Sequence, residues 1–108
     1  MNQVDMIGKI IGPINNFQQS NGEQVSKFKL SVEASKQKDV TIDCVAWRNI
    51  AELIKYEVRS SDLVSITGKF NPREVIVSGT SAIMFEVLVE RINLIMPEHD
   101  ITKFEQES

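Results

Sequence analysis

Apolar and polar residues alternate with a period of two along most of this chain, and that period predicts strands. The clearest stretch is residues 27–34, KFKLSVEA, in which every second residue is apolar. Successive side chains of a strand point to opposite faces, so this pattern places one face in a core and the other in water. The same alternation predicts four further strands, near residues 4–10, 41–47, 63–70 and 83–95.

Turn-forming residues divide these strands. Asn21-Gly22 predicts a two-residue hairpin turn of type I′, in which both positions need a positive φ. Gly12-Pro13 predicts a kink or bulge in the first strand, and Pro72 predicts the end of the fourth strand. The polar stretch Ser35–Asp39 is expected to form a loop, and residues 73–81 are expected to form a hairpin tip around Ser78-Gly79-Thr80.

Helical periodicity occurs once, from Asn49 to Val58. The apolar residues follow the i, i+3, i+4, i+8 spacing of a one-sided helix, and Asn49 is the expected N-cap. Each parallel crossover needs a helix of its own, so a single helix among five strands excludes a parallel sheet. Three strands, one helix and two strands predict an all-β class: a five-stranded OB-fold barrel with one α-helix between strands 3 and 4.

Charge divides the 108 residues into two parts. We expect residues 1–96 to form the OB-fold domain and residues 97–108 to form a short, flexible, acidic C-terminal tail. The formal net charge of −3 resides in the tail, because the basic and acidic residues of the body balance. A neutral body does not indicate nucleic-acid binding by its bulk charge, so such binding would need a local basic patch or base stacking.

Composition weighs against catalysis. One histidine, His99, and one cysteine, Cys44, cannot supply the usual zinc ligand sets or a well-held nucleophile–base pair. We therefore expect no enzyme activity, no cofactor and no metal. A lone cysteine cannot form an internal disulfide, which favours a reducing, cytoplasmic location. No apolar run reaches the roughly 18 residues of a membrane span, and no secretory signal is expected at the N-terminus.

Several short segments lie in the order and spacing of a known family. They are Asn2-Gln3-Val4 with Ile7-Gly8-Lys9, Asn21-Gly22 with the following strand, D-C-V-A-W-R at 43–48 with Ala51-Glu52, L-V-S-I-T-G-K-F at 63–70, and Phe85-Glu86-Val87 with Ile92-Asn93-Leu94. Over about residues 2–95 the chain resembles the bacterial single-stranded DNA-binding protein family. The resemblance implies sequence-tolerant binding of single-stranded DNA in replication, recombination or repair, assembly into a homotetramer, and a cytoplasmic, nucleoid-associated location.

The sequence also departs from that family. Thr41 stands where a second aromatic residue is usual, six residues before Trp47, and Lys36 and Val75 occupy other neighbourhoods rich in aromatics. The acidic C-terminal tip ending in phenylalanine is missing, so the chain resembles a short form of the family.

Trp47 is the main expected contact to bases. In the alternation along the third strand, Trp47 falls on the face opposite to Ile42, Cys44 and Ala46. It therefore points outward if those three point into the barrel. The resemblance implies a base stacked on this ring, whereas packing under the helix start or in a subunit interface is the alternative. Phe17, at a strand end, is either a second stacking residue or part of the core.

Basic residues are the expected contacts to the DNA backbone. Lys27 and Lys29 share one strand face, and Lys36 and Lys38 follow in the next loop. With Glu33 as the one acidic residue between them, they give a local patch of about +3, or else an ordinary solvated hairpin. Lys9 and Arg73 match basic positions of the family, Arg73 only in part, and Arg48 belongs to the quoted motif. The full expected binding set is Trp47, Lys27, Lys29, Lys36, Lys38, Lys9, Arg73, Arg48 and Phe17.

Two other binding roles remain open at this point. The chain is also similar to primosomal replication protein N, an OB-fold accessory module that works mainly through contacts with replication or restart proteins. A degenerate OB domain used only for assembly is the third possibility. The expected partners are therefore single-stranded DNA, further copies of the chain and replication or restart proteins, with no membrane partner.

Overall fold

The structure, a computed structural model, describes residues 2–35 and 38–96. It contains five strands and one helix: β1 (Val4–Gln18), β2 (Gln24–Ser35), β3 (Lys38–Trp47), α1 (Arg48–Glu57), β4 (Leu63–Val77) and β5 (Thr80–Met96). The expected all-β class and the position of the helix are confirmed. The expected acidic tail, 97–108, and the candidate residue Lys36 lie outside the described residues. Within the described part, no helix has the length and apolar character needed to cross a membrane.

The strands close into a barrel in the order β1-β2-β3-β5-β4. Neighbouring strands are antiparallel except β3 and β5, which pair in parallel through Cys44–Val87 and Val45–Leu88. β1 pairs with β2 on one side and with β4 on the other, so it belongs to both halves of the barrel. This is the Greek-key arrangement that the order of the elements predicted.

The predicted inward faces fill the barrel. Cys44 and Ala46 are buried with Phe28, Leu30 and Ile66 in one cluster, against which Ile42 packs. Fully burying a large apolar side chain such as that of Leu30 or Ile66 stabilises the fold by about 1.5–3 kcal/mol. The helix closes one end of the barrel with the buried residues Ala51 and Ile54, and Val58, which follows the helix, is buried as well. The period-two pattern therefore identified the inward faces of β2 and β3, although Val25 and Val45 of the outward faces are buried as well. Leu53, which belongs to the predicted apolar stripe of the helix, is exposed.

Two local expectations near the first hairpin and the helix are wrong. Only Gly22 of the Asn21-Gly22 pair has a positive φ (87°), and its amide donates to the Gln19 carbonyl, so the turn has three residues and is not type I′. The helix begins at Arg48, with Trp47 at the N-cap position and no side-chain cap, so Asn49 is not the N-cap. β3 runs directly into α1, which puts the cap on the last strand residue.

The loop expected at Ser35–Asp39 is also wrong in part. Ser35 ends β2 and pairs with Lys38, the first residue of β3. Strand pairing therefore extends into this polar stretch and leaves only residues 36–37 between the two strands, because polar side chains are tolerated where both faces of a hairpin meet water.

β4 and β5 extend beyond the barrel as a long hairpin, called here the β4–β5 arm (residues 70–86). The turn lies where it was expected, since Ser78 (φ 52°) and Gly79 (φ 78°) form a two-residue turn between Val77 and Thr80. The expected extent of the tip, residues 73–81, is wrong, because residues 73–77 and 80–81 are paired strand residues. Pro72 does not end β4 but pairs with Phe85 inside the arm. Beyond Gly68, β4 pairs with β5 alone, and proline is tolerated on such a free edge.

Candidate nucleic-acid interface

The outer face of β1, β2 and β3 carries side chains in rows across the strands. Residues that face each other in register share a face of the sheet, so each row presents its side chains together. The three rows are Phe17–Val25–Trp47, Asn15–Lys27–Val45 and Ile11–Lys29–Asp43. The first row contains both aromatic residues of the expected binding set, and the other two contain both strand lysines.

The aromatic row is only partly open to solvent. Trp47 and Phe17 are each half-buried, and Val25 between them is fully buried although it lies on the outer face. Trp47 does not belong to the buried cluster inside the barrel. Trp47 therefore points outward, as its position on the strand predicted, and the residue is partly exposed to solvent.

A groove of about 320 Å³ adjoins these rows. The strand face contributes Ile11, Lys27, Lys29 and Asp43, and the β4–β5 arm contributes Arg73 and Glu86. The bulge in β1 forms one wall: the register shifts between Ile11 and Asn15, and Gly12 has a φ of 70°. Bulges of this kind bend a strand away from its neighbour and are common beside binding sites.

Three cations in this groove have no internal partner. Lys27, Lys29 and Arg73 line it, and none of them forms an ion pair with any residue that the structure describes. Cations without an internal partner are free to bind phosphate and to release its counterions. The structure therefore brings together three residues of the expected binding set, one of them from a hairpin more than forty residues further along the chain.

The other expected cations lie apart from the groove. The Arg48 guanidinium is held by the Glu23 carboxylate, with an Nη2–Oε1 distance of 3.0 Å. Lys9 is exposed on β1 between Ser31 and Leu63. Lys38 faces Ser35, and eight residues at ~3.3 Å each put it roughly 26 Å along β2 from Lys27. The single basic patch expected on this hairpin is thus spread along its length.

Two carboxylates in the groove were missing from the expected site. Asp43 shares its strand face with Trp47, which the alternation already implied, whereas Glu86 reaches the groove through the path of the arm. Glu86 Oε1 accepts a hydrogen bond from Asn71 Nδ2 at 3.1 Å. Three cations and two carboxylates leave the groove only slightly basic.

Cys44 lies beneath this groove and belongs to the core, as expected. Burial, together with the nearby carboxylates of Asp43 and Glu86, raises the pKa of its thiol to about 12. A thiol with such a pKa stays protonated at neutral pH and is a poor nucleophile. Its contribution is therefore packing, not chemistry.

Comparison with known proteins agrees with the geometry. The model of the single-strand binding protein family matches residues 1–95, which span the barrel from β1 into the last residues of β5. No curated protein matches the chain at a significant level. The matched region contains the closed barrel, the outward Trp47 and the groove with its three unpaired cations. The chain belongs to the single-strand binding protein family, OB-fold proteins that bind single-stranded DNA.

Proposed function

We propose that this protein binds single-stranded DNA with little sequence preference, in replication, recombination or repair. Bases stack on Trp47 and on Phe17, which lies in the same row on the far side of Val25, and phosphates contact Lys27, Lys29 and Arg73. The observation that carries this proposal is the groove with three unpaired cations next to a half-buried aromatic row. Stacking platforms next to a basic groove are the usual means of holding single strands.

Features of the groove favour a single strand over a duplex. Its volume of about 320 Å³ lies at the lower end of small-ligand pockets, so it has room for about one nucleotide at a time. Stacking on Trp47 also requires a base whose face is free, and a paired duplex offers none along its length. The matched family is defined by binding single strands, which supports the same choice.

We expect the affinity for oligo-dT to fall with salt in proportion to these contacts. Log K should fall with log salt by about 0.7 for each phosphate contact, so three contacts give a slope of about −2. Titration followed by Trp47 fluorescence between low and high salt measures this slope. Replacing both Lys27 and Lys29 by glutamine should make the slope shallower by about 1.4.

Lys38→Gln provides the matched control for that variant. It removes a positive charge from the same hairpin but outside the groove, so it should leave the slope nearly unchanged. If Lys38→Gln instead reduces the slope as much as the loss of Lys27 or Lys29 does, the proposed path of the DNA is contradicted. The DNA would then contact the whole length of the hairpin.

We also propose that the chain assembles with copies of itself, as a homotetramer. Family members typically oligomerise, and the β4–β5 arm exposes large apolar side chains that a partner surface could cover, among them Ile76 (77% exposed) and Ile83 (67% exposed). Sedimentation at micromolar concentration should give about four times the 12.2 kDa of the chain. A monomer at that concentration would contradict the proposal.

The accessory role through replication or restart proteins is not favoured by the family match. Replication or restart proteins would then be further partners of the DNA-bound form. A cytoplasmic, nucleoid-associated location and the absence of enzyme activity follow from the proposed role, since members of the family act by binding DNA.

A further inference from the structure

We propose that the groove is a subsite for a base that carries an exocyclic amino group, so that it prefers cytosine to thymine. The groove holds the carboxylates of Asp43 and Glu86 as well as its three cations. The inference rests on the proposed binding of single-stranded DNA and adds the identity of the base at one position.

Asp43 and Glu86 approach the groove from different strands. Asp43 lies on β3 opposite Lys29, and Glu86 lies on β5 opposite Asn71. Both also line a smaller recess of about 20 Å³ with Arg73 and Phe85, so the two carboxylates face a common space. A ligand in the groove therefore meets negative charge from two sides.

Negative charge at this position decides which part of a nucleotide can enter. Carboxylates repel phosphate, so the DNA backbone is directed toward Lys27, Lys29 and Arg73. Ile11 and Pro13 add apolar surface to the wall, against which the face of a base can lie. The carboxylates then meet the edge of that base.

The base edge is where cytosine and thymine differ. An ionised carboxylate only accepts hydrogen bonds. Cytosine presents the N4 amino donor at the ring position where thymine presents the O4 acceptor. No hydrogen bond or ion pair with another described residue occupies Asp43, and Glu86 has a second oxygen beyond the one bound to Asn71. Cytosine can therefore donate to these groups, whereas thymine O4 is repelled.

The test compares oligo-dC and oligo-dT of equal length on the full chain and on Asp43→Asn. Oligo-dC and oligo-dT also differ in flexibility and in stacking, but these differences are the same for every protein variant. The measured quantity is therefore the ratio of the two dissociation constants, compared between the unmodified chain and each variant. The asparagine amide can donate to O4 as well as accept from N4, so the preference for cytosine should fall about five- to tenfold. Glu86→Gln should shift the ratio in the same direction.

Asp39→Asn is the matched control. Asp39 lies on the same strand and the same face as Asp43 but outside the groove, and it is exposed. The substitution removes the same charge, so it should slightly strengthen binding of both oligonucleotides and leave the ratio of their dissociation constants unchanged. Circular dichroism checks that each variant folds.

Two results would overturn the inference. If Asp43→Asn strengthens binding of both oligonucleotides to the same extent, as expected for Asp39→Asn, the Asp43 carboxylate acts only through its charge. The groove is then not a subsite that selects the base. If the unmodified chain binds neither oligonucleotide, the proposed function itself fails, and the subsite fails with it.

Discussion

Replacing Trp47 by alanine is expected to weaken binding of oligo-dT by about 5- to 150-fold, equivalent to roughly 1–3 kcal/mol. The loss corresponds to one base stacked on the exposed part of the ring. The fold should survive, because Trp47 lies outside the buried cluster of the barrel. The measurement is the fluorescence anisotropy of a labelled oligonucleotide, since the variant loses the protein's one tryptophan.

Tyr56→Ala is the control for this substitution. Tyr56 lies on α1, is 72% exposed and does not line the groove, so its removal should leave the affinity unchanged. Trp47→Phe should recover part of the loss, because phenylalanine keeps a smaller stacking face. A folded Trp47→Ala protein with unchanged affinity would show that the ring serves packing or assembly, the alternative that the sequence left open.

Gly68→Ala is expected to destabilise the barrel by about 3 kcal/mol or more. A Cβ at this position would lie 2.1 Å from the carbonyl oxygen of Leu88, a backbone atom that cannot move without shifting β5. Gly68 pairs with Val4 of β1 as well as with Val89, at a shift in the β4–β5 register. The substitution therefore disturbs the point where three strands meet.

Urea denaturation measures this effect, with Gly22→Ala as the comparison. Gly22 has a φ of 87° but no atom within 4 Å of the added methyl group, so alanine there costs only the left-handed backbone conformation, about 1–2 kcal/mol. Equal losses in the two variants would mean that β5 can shift to accommodate the methyl group, and that the close approach at Leu88 is not essential.

The alternation of residue types was sufficient to predict five strands and the inward faces of β2 and β3, because side-chain direction in a strand depends only on position. It also predicted the outward phase of Trp47, Lys27 and Lys29. It did not predict that β4 continues through Pro72 to Val77. Turn details were not predictable in this way. Asn21-Gly22 fits several turn types, and the pairing at Gln19 decides between them. The effect of Pro72 depends on whether its strand edge is free, which is a property of the whole sheet.

The candidate site was predictable only where it follows a single hairpin. Arg73 and Glu86 join the groove because the β4–β5 arm reaches the face of β1–β3, and no local pattern contains that path. The pairing of Arg48 with Glu23 likewise links residues 25 positions apart. The closeness of the lysines in the sequence predicted that Lys38 and Lys27 form one patch. The strand pairing of the hairpin places them far apart.

The parallel contact between β3 and β5 gives the barrel a short seam. It consists of two residue pairs, whereas β4 and β5 pair along most of their length. Few hydrogen bonds hold this seam, so we expect the ring to open there before it opens elsewhere. The groove straddles it, with Lys27 and Lys29 on one side and Arg73 on the other. A nucleotide that contacts both sides would hold β3 and β5 together. Binding of DNA would then slow amide hydrogen exchange at the seam itself.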